Sequence, residues 1–154
     1  DSYAALYSDP SVQAVYVSVP HPWHAELAIA AMRAGKAVLV EKPAGMNVAE
    51  VVAVTEVAAQ EGRFLMEAFM YRCHPQIARV LEIIAAGEIG TPVHIETRFG
   101  FNAPYREGSR LYDPALGGGG ILDVGGYPVS LARLIAGAAE GKPFAGYRNR
   151  WYQV

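Results

Sequence analysis

Val38-Leu39-Val40-Glu41-Lys42-Pro43 is an apolar run that stops abruptly at a carboxylate, an amine and a proline. Three branched apolar residues in a row read as a short strand buried on both faces, and Pro43 ends it because it has no N–H to give a ladder. Upstream, Ala14-Val15-Tyr16-Val17-Ser18-Val19 reads as a second strand, halted by Pro20. Between the two, Pro22 suits a first helical turn, Trp23, Leu27, Ala30, Ala31 and Ala34 recur at helical spacing, and Gly35 is placed to cap the end. Strand, helix and strand of this length form a crossover unit, which joins parallel neighbours with one hand in nearly all cases. Both strands therefore end on one sheet edge, with His21 beside Glu41 and Lys42. Ligands of open parallel sheets bind outside the carboxyl ends of the strands. Two readings of Glu41 and Lys42 stand at this point: solvated loop charges, or the chemistry of that edge. His21 and His24, an i, i+3 pair, lack the cysteine or carboxylate cluster of a metal centre, which favours a small-molecule contact over a metal.

The flanking segments extend the pattern. Asp1 to Tyr7 reads as a helix closed by Ser8-Asp9-Pro10. Asn47 with Glu50 resembles a capping box and opens a helix through Gln60, with Val48, Val51, Val52, Thr55, Ala58 and Ala59 on one face. Phe64-Leu65-Met66 is a short strand that also meets a carboxylate, Glu67. Ile77, Val80, Leu81 and Ile84 then mark an amphipathic helix ending at Gly87.

From Pro92 to Phe101 the period changes to strict alternation, which predicts a half-buried strand of an antiparallel sheet and hence a second unit beginning near His74. Asn102 to Leu116 is a long loop of the kind that closes over a site or packs at an interface. Gly117 to Gly120 are either a hinge or a place of close backbone approach to a ligand or another element. Val129, Leu131, Leu134 and Ile135 predict a helix up to Gly137, and Tyr71, Phe99 and Phe101 read as core or interface residues.

Composition excludes several classes. With 154 residues, 52% hydrophobic and 18% charged, the chain can bury a core. A net charge of −2 and the absence of a long basic run argue against a nucleic-acid partner. The aromatic and basic end, Gly146 to Tyr152, is too short for RNA stacking. No apolar run is long enough to cross a bilayer, so no membrane partner is expected. The lone Cys73 permits no internal disulfide, and the expectation is a cytoplasmic protein. No Gly-Lys-Ser/Thr follows the glycine run, so it is not a P-loop, and no Tyr stands four residues before a Lys as in short-chain dehydrogenases.

Four segments occur in a familiar order: Pro20-His21-Pro22-Trp23-His24, Glu41-Lys42-Pro43, Glu67-Ala68-Phe69-Met70-Tyr71-Arg72-Cys73-His74-Pro75, and Gly119-Gly120-Ile121-Leu122-Asp123-Val124-Gly125-Gly126-Tyr127. Together they resemble the Gfo/Idh/MocA oxidoreductases, up to about Phe144. Many members carry His in the last motif. Tyr127 here resembles the glucose-fructose oxidoreductase and dihydrodiol dehydrogenase branch. The resemblance implies an α/β fold: a partial Rossmann-type parallel sheet over residues 1–73, the C-terminal part of a dinucleotide-binding domain. Residues 74–154 would then be the N-terminal part of an α+β substrate and oligomerisation domain with a mostly antiparallel sheet.

It further implies hydride transfer between NADP or NAD and a sugar, cyclic polyol or vicinal diol. Cofactor contacts would come from Pro20, His21, His24, Glu41, Lys42 and Arg72, and substrate contacts from Lys42, Arg72, Asp123 and Tyr127. Lys42 and Tyr127 would be catalytic, with Tyr127 moving the proton. A phenol with its ordinary pKa near ~10 is a weak base, and a nearby ammonium is expected to lower that value. A homo-oligomer assembled through the second sheet is also implied. The family's Gly-x-Gly-x-x-Gly turn is nowhere in the chain, so a fragment is expected, and the alternatives are an inactive truncation or a non-catalytic binding protein on the same scaffold.

Overall fold

A computed structural model describes residues 2–139; the basic and aromatic end, residues 146–152, lies outside the described residues. Three strands, β1 (Ala14–Val17), β2 (Ala37–Glu41) and β3 (Leu65–Ala68), form a parallel sheet in the order β1-β2-β3. Val17 pairs with Val40 and Glu41 with Ala68, so all three strands end on one edge. This edge is the one expected from the crossover pattern.

Helix α1 (Tyr3–Ser8) precedes the sheet, capped by the Ser2 hydroxyl, which accepts from the Ala5 N–H. Helix α2 (His24–Arg33) makes the first crossover and α3 (Val48–Gln60) the second. Asn47 caps α3 as expected, its Oδ1 accepting from the Glu50 N–H at 3.0 Å, while the Glu50 carboxylate accepts from the Met46 N–H at 2.8 Å. With strands in sequential order and crossovers of one hand, both helices fall on the same face of the sheet. The core lies there: Val15, Val17, Val38 and Val40 pack against Ala28, Ala31 and Met32 of α2 and Val54, Val57 and Ala58 of α3.

Three packing expectations are corrected. Leu39 and Tyr16, on the opposite sheet face, are exposed, so β2 is buried on one face among the described residues and not on both. In α2 the buried side is Ala25, Ala28, Ala31 and Met32, and Trp23, ahead of the helix, is exposed. In α3 Val48 and Val52 are exposed. Alanine and branched residues fill most positions of these helices, so periodicity left the choice of face to tertiary packing.

Helix α4 (Pro75–Ala85) follows a 3₁₀ turn at Met70–Cys73, and α5 (Gly126–Ala139) follows a π-helical turn at Ile121–Gly125. The strand expected over Pro92 to Phe101 is not formed: residues 91–100 take no strand conformation and Val93 is 96% exposed. Alternation marks a segment that suits a half-buried sheet, but a strand also needs a ladder partner, and none lies beside it among the described residues. The sheet surface expected for self-association is likewise not seen among them.

Candidate active site

The ends of β1 and β2 each deliver one part of the site. Beyond β1, Pro20 and His21 open a 3₁₀ turn, His21–Trp23. Beyond β2 come Glu41 and Lys42, with a cis peptide between Lys42 and Pro43. A cleft of about 270 Å³ lies over this edge, lined among others by Pro20, His21, His24, Glu41, Lys42 and Arg110. Five of the residues expected to contact a cofactor are therefore brought together.

The carboxylate of Glu41 accepts from the Tyr16 hydroxyl at 2.5 Å. Tyr16 sits opposite Leu39 in the ladder, so Glu41 is its diagonal cross-strand neighbour. The bond to Glu41 is the main reason that the Tyr16 phenol is held above its ordinary value. His21 is buried, its Nδ1 has no hydrogen-bond partner of good geometry, and its pKa is lowered. Burial is the largest cause, reinforced by His24, Lys42 and Arg110 and opposed by the Gly117 backbone.

Lys42 reaches away from its own sheet. Its Nζ donates to the Asp123 carbonyl and stands 3.5 Å from Asp123 Oδ1, in the π-helical turn that precedes α5. The same Oδ1 accepts from Arg110 Nη1 at 3.2 Å. The Lys42 ammonium also lies over the Tyr127 ring, 5.3 Å from its centroid. Amine, carboxylate and phenol, 85 residues apart at the extremes of the sequence reading, thus meet at one place.

Tyr127 stands in an aromatic cluster, edge-on to Phe69, Tyr71 and Phe99. Its hydroxyl donates to Met70 Sδ at 3.3 Å. It borders a second hollow of about 450 Å³, shared with Met70, Ile77, Phe99 and Leu131. Tyr71 belongs to this interface, as read from sequence; Phe99 touches Tyr127 edge-on but is itself exposed, as is Phe101, which lines a smaller hollow beside Asp123. The expected lowering of the Tyr127 pKa is corrected. Burial raises it, and the Glu41 and Asp123 carboxylates raise it further, because the ammonium sits over the ring while its charge is directed at Asp123.

Arg72 does not line the strand-end cleft. It is buried, its Nη2 donates to Ser130 Oγ of α5 at 2.8 Å, and that hydroxyl also bonds the Tyr71 hydroxyl at 2.8 Å. His24 lines the cleft with both ring nitrogens engaged by backbone carbonyls. Sequence reasoning missed Tyr16 and Arg110 as site residues. Tyr16 carried a signal, since period two places it on the same sheet face as Leu39 and Glu41; Arg110, in an irregular loop, carried none.

The long loop does close over the site. Its last part, including a 3₁₀ turn at Pro114–Leu116, brings Gly117 against His21: a Cβ on Gly117 would lie 3.1 Å from His21 Nδ1 and 2.7 Å from Met46 Sδ, and its φ is +73°. A Cβ on Gly118 would lie 2.7 Å from the Asp113 backbone nitrogen. Of the readings open for the glycine run, close approach to another element holds at these two positions.

The family model described as "Oxidoreductase family, NAD-binding Rossmann fold" matches residues 1–69, and "GFO/IDH/MocA C-terminal domain" matches residues 77–143. The chain belongs to the Gfo/Idh/MocA oxidoreductase family. It is 42% identical over 139 residues to D-xylose 1-dehydrogenase (NADP(+)) 2 of Haloferax volcanii, covering 90% of this chain and 42% of that protein. It is 35% identical over 150 residues to trans-1,2-dihydrobenzene-1,2-diol dehydrogenase of Oryctolagus cuniculus, covering 97% of this chain and 45% of that one. Among solved structures, a 3-ketoreductase from Actinomadura kijaniata in complex with NADP and TDP-benzene superposes with a TM-score of 0.71 at 35% identity, over 88% of this chain and 42% of that one. The chain therefore spans under half the length of these relatives. Among the described residues no helix is long and apolar enough to cross a membrane.

Proposed function

We propose that the protein is an NAD(P)-dependent oxidoreductase that moves hydride between a nicotinamide cofactor and a carbon of a sugar, cyclic polyol or vicinal diol. The observation that carries this is that Lys42, which lines the strand-end cleft, meets both Asp123 and Tyr127. The cleft's donor set suits a dinucleotide: Glu41 can accept from ribose hydroxyls, and Lys42 and Arg110 offset phosphate charge. A nicotinamide cofactor, when bound, supplies or accepts the hydride. Family relatives named for xylose and dihydrodiol oxidation support the substrate class.

The chain's own residues handle the proton. A phenol kept protonated by burial and by two carboxylates is equipped to donate from its oxygen as a substrate carbonyl becomes an alkoxide, and to take the proton back in the reverse direction. Lys42, anchored on Asp123, places a fixed positive charge beside the same position and stabilises developing negative oxygen. Asp123 would accept from a substrate hydroxyl at the carboxylate oxygen that neither Lys42 nor Arg110 addresses. Arg72 braces Tyr71 and α5 behind Tyr127. We divide the chain at 73/74, where the parallel crossovers give way to α4, into the end of a dinucleotide-binding domain and the start of a substrate domain. A second copy pairing through the sheet of that domain, and a cytoplasmic setting for the exposed Cys73, complete the reading.

Titration of the protein with NADPH, followed by nicotinamide fluorescence, and turnover of an aldose or a trans-diol, followed by nicotinamide absorbance, test the proposal. Saturable binding with turnover supports it. Absence of binding overturns it, and binding with no turnover of any aldose, polyol or diol makes the protein a non-catalytic binding protein.

A further inference from the structure

The peptide group between Pro43 and Ala44 is held at both of its polar atoms. Its carbonyl oxygen faces His24 Nδ1 at 2.7 Å, and its N–H donates to Glu67 Oε1 at 2.9 Å. His24 Nε2 lies 2.6 Å from the Val19 carbonyl, so a single ring also ties the loop after β1 to the loop after β2. Both partners of the ring are carbonyl oxygens, which only accept. A neutral imidazole has one N–H and would turn a lone pair toward one of these oxygens; an imidazolium donates to both. With His24 1% exposed, solvent cannot fill the place of the missing donor.

The charged groups around the ring are arranged accordingly. Glu67, at the end of β3, is the opposite charge; burial raises its pKa, while the Ala44 N–H, Arg72, His24 and Lys42 act against that rise. The like-charge neighbour, His21, stands edge-on with ring centroids 5.5 Å apart and is pushed toward its neutral form. Lys42, immediately before Pro43, directs its ammonium to Asp123.

We propose that His24 and Glu67 are positioning residues: an imidazolium and a carboxyl group that clamp one peptide plane between them and so set the loop from which Lys42 reaches Asp123 and Tyr127. Neither touches the reacting atoms. The clamp stands on the hydrogen bonds alone, and only its consequence for Lys42 rests on the oxidoreductase reading.

Nitrogen NMR of the full chain with isotope-labelled histidine tests the first half. With a carbonyl oxygen at each side of the ring, both His24 nitrogens are expected to carry a proton in the folded chain, and a bare nitrogen overturns the imidazolium clamp. Amide exchange tests the second half. Glu67→Ala should speed exchange of the Ala44 N–H by about tenfold or more, while Glu67→Gln, which keeps an acceptor, should hold it near the parent rate. Equal exchange in all three chains overturns the role of Glu67, and the histidine spectrum of the parent chain decides the clamp if Glu67→Ala does not fold. In the enzyme, His24→Gln keeps one donor of two and should lower kcat by about tenfold while changing the dinucleotide Kd by less than about threefold. A loss confined to Kd makes His24 a cofactor contact instead. Absence of hydride transfer in the parent protein sinks the oxidoreductase reading and leaves the spectrum to decide the clamp.

Discussion

The ammonium of Lys42 lies over the ring of Tyr127, 5.3 Å from its centroid, while the Tyr127 hydroxyl points to Met70 Sδ. An ammonium in this position is attracted to the π face, yet its charge is shared out to Asp123 and does not hold the phenol down. The pair is therefore built as a neutral donor beside a fixed cation, and its members are separable by mutation.

Tyr127→Phe removes the oxygen and keeps the edge-on contacts to Phe69, Tyr71 and Phe99. The fold should survive, and kcat should fall by about 10²-fold or more with little change in dinucleotide Kd. Steady-state kinetics beside a fluorescence titration check this; unchanged turnover removes Tyr127 from proton transfer.

The Tyr127 phenol should ionise above the ordinary 10.0, because burial and two carboxylates oppose the phenolate. A group whose folded pKa is raised contributes stability that is fully present below the unfolded value and is lost as pH rises through the folded one. Denaturant midpoints should therefore drop above about pH 10 less steeply in Tyr127→Phe than in the parent. Identical slopes would show that the environment of the phenol is not the one described.

His21 behaves with the opposite sign. Its folded pKa is depressed below 6.5, chiefly by burial, so its contribution is present above that value and is lost as pH falls through the folded one. His21→Gln should flatten the fall in stability below pH 6.5. Urea unfolding at a series of acidic pH values measures it.

Gly118→Ala forces a Cβ to 2.7 Å from backbone atoms of Tyr112 and Asp113, which cannot swing aside as a side chain would. A destabilisation of about 2 kcal/mol or more is expected. Gly120→Ala, with open space around its Cβ and an ordinary αR conformation, should stay within about 0.5 kcal/mol of the parent. Equal effects would return the glycine run to the hinge reading.

Ser130→Ala removes the hydroxyl that Tyr71 and Arg72 share between the 3₁₀ turn and α5. Buried hydrogen-bond partners lost on one side typically cost about 1–3 kcal/mol. Thermal unfolding should show that loss, and Thr at this position, which keeps the hydroxyl, should recover part of it.

The sheet was legible because its signals are local. Branched runs closed by Pro20 and Pro43, and a crossover of the right length between them, leave one topology and one edge, so His21, Glu41 and Lys42 could be put together from chain order. The Asn47 cap of α3 and the close of α4 just ahead of Gly87 follow the same local rules. Residues 92–101 show the limit of this reasoning. Alternation states that a segment would suit a half-buried strand, but pairing is a property of two segments.

Which helix faces turn inward, that Arg110 comes down onto Asp123, that Tyr16 holds Glu41, and that both nitrogens of His24 are taken by carbonyls were decided only by packing. The Tyr127 phenol makes the point most sharply. The family resemblance implied an ammonium nearby and a lowered pKa; the ammonium is there, and the shift has the opposite sign. The sign depends on burial, on the carboxylates nearby and on where the ammonium's own partner sits, quantities that exist only once the chain has folded.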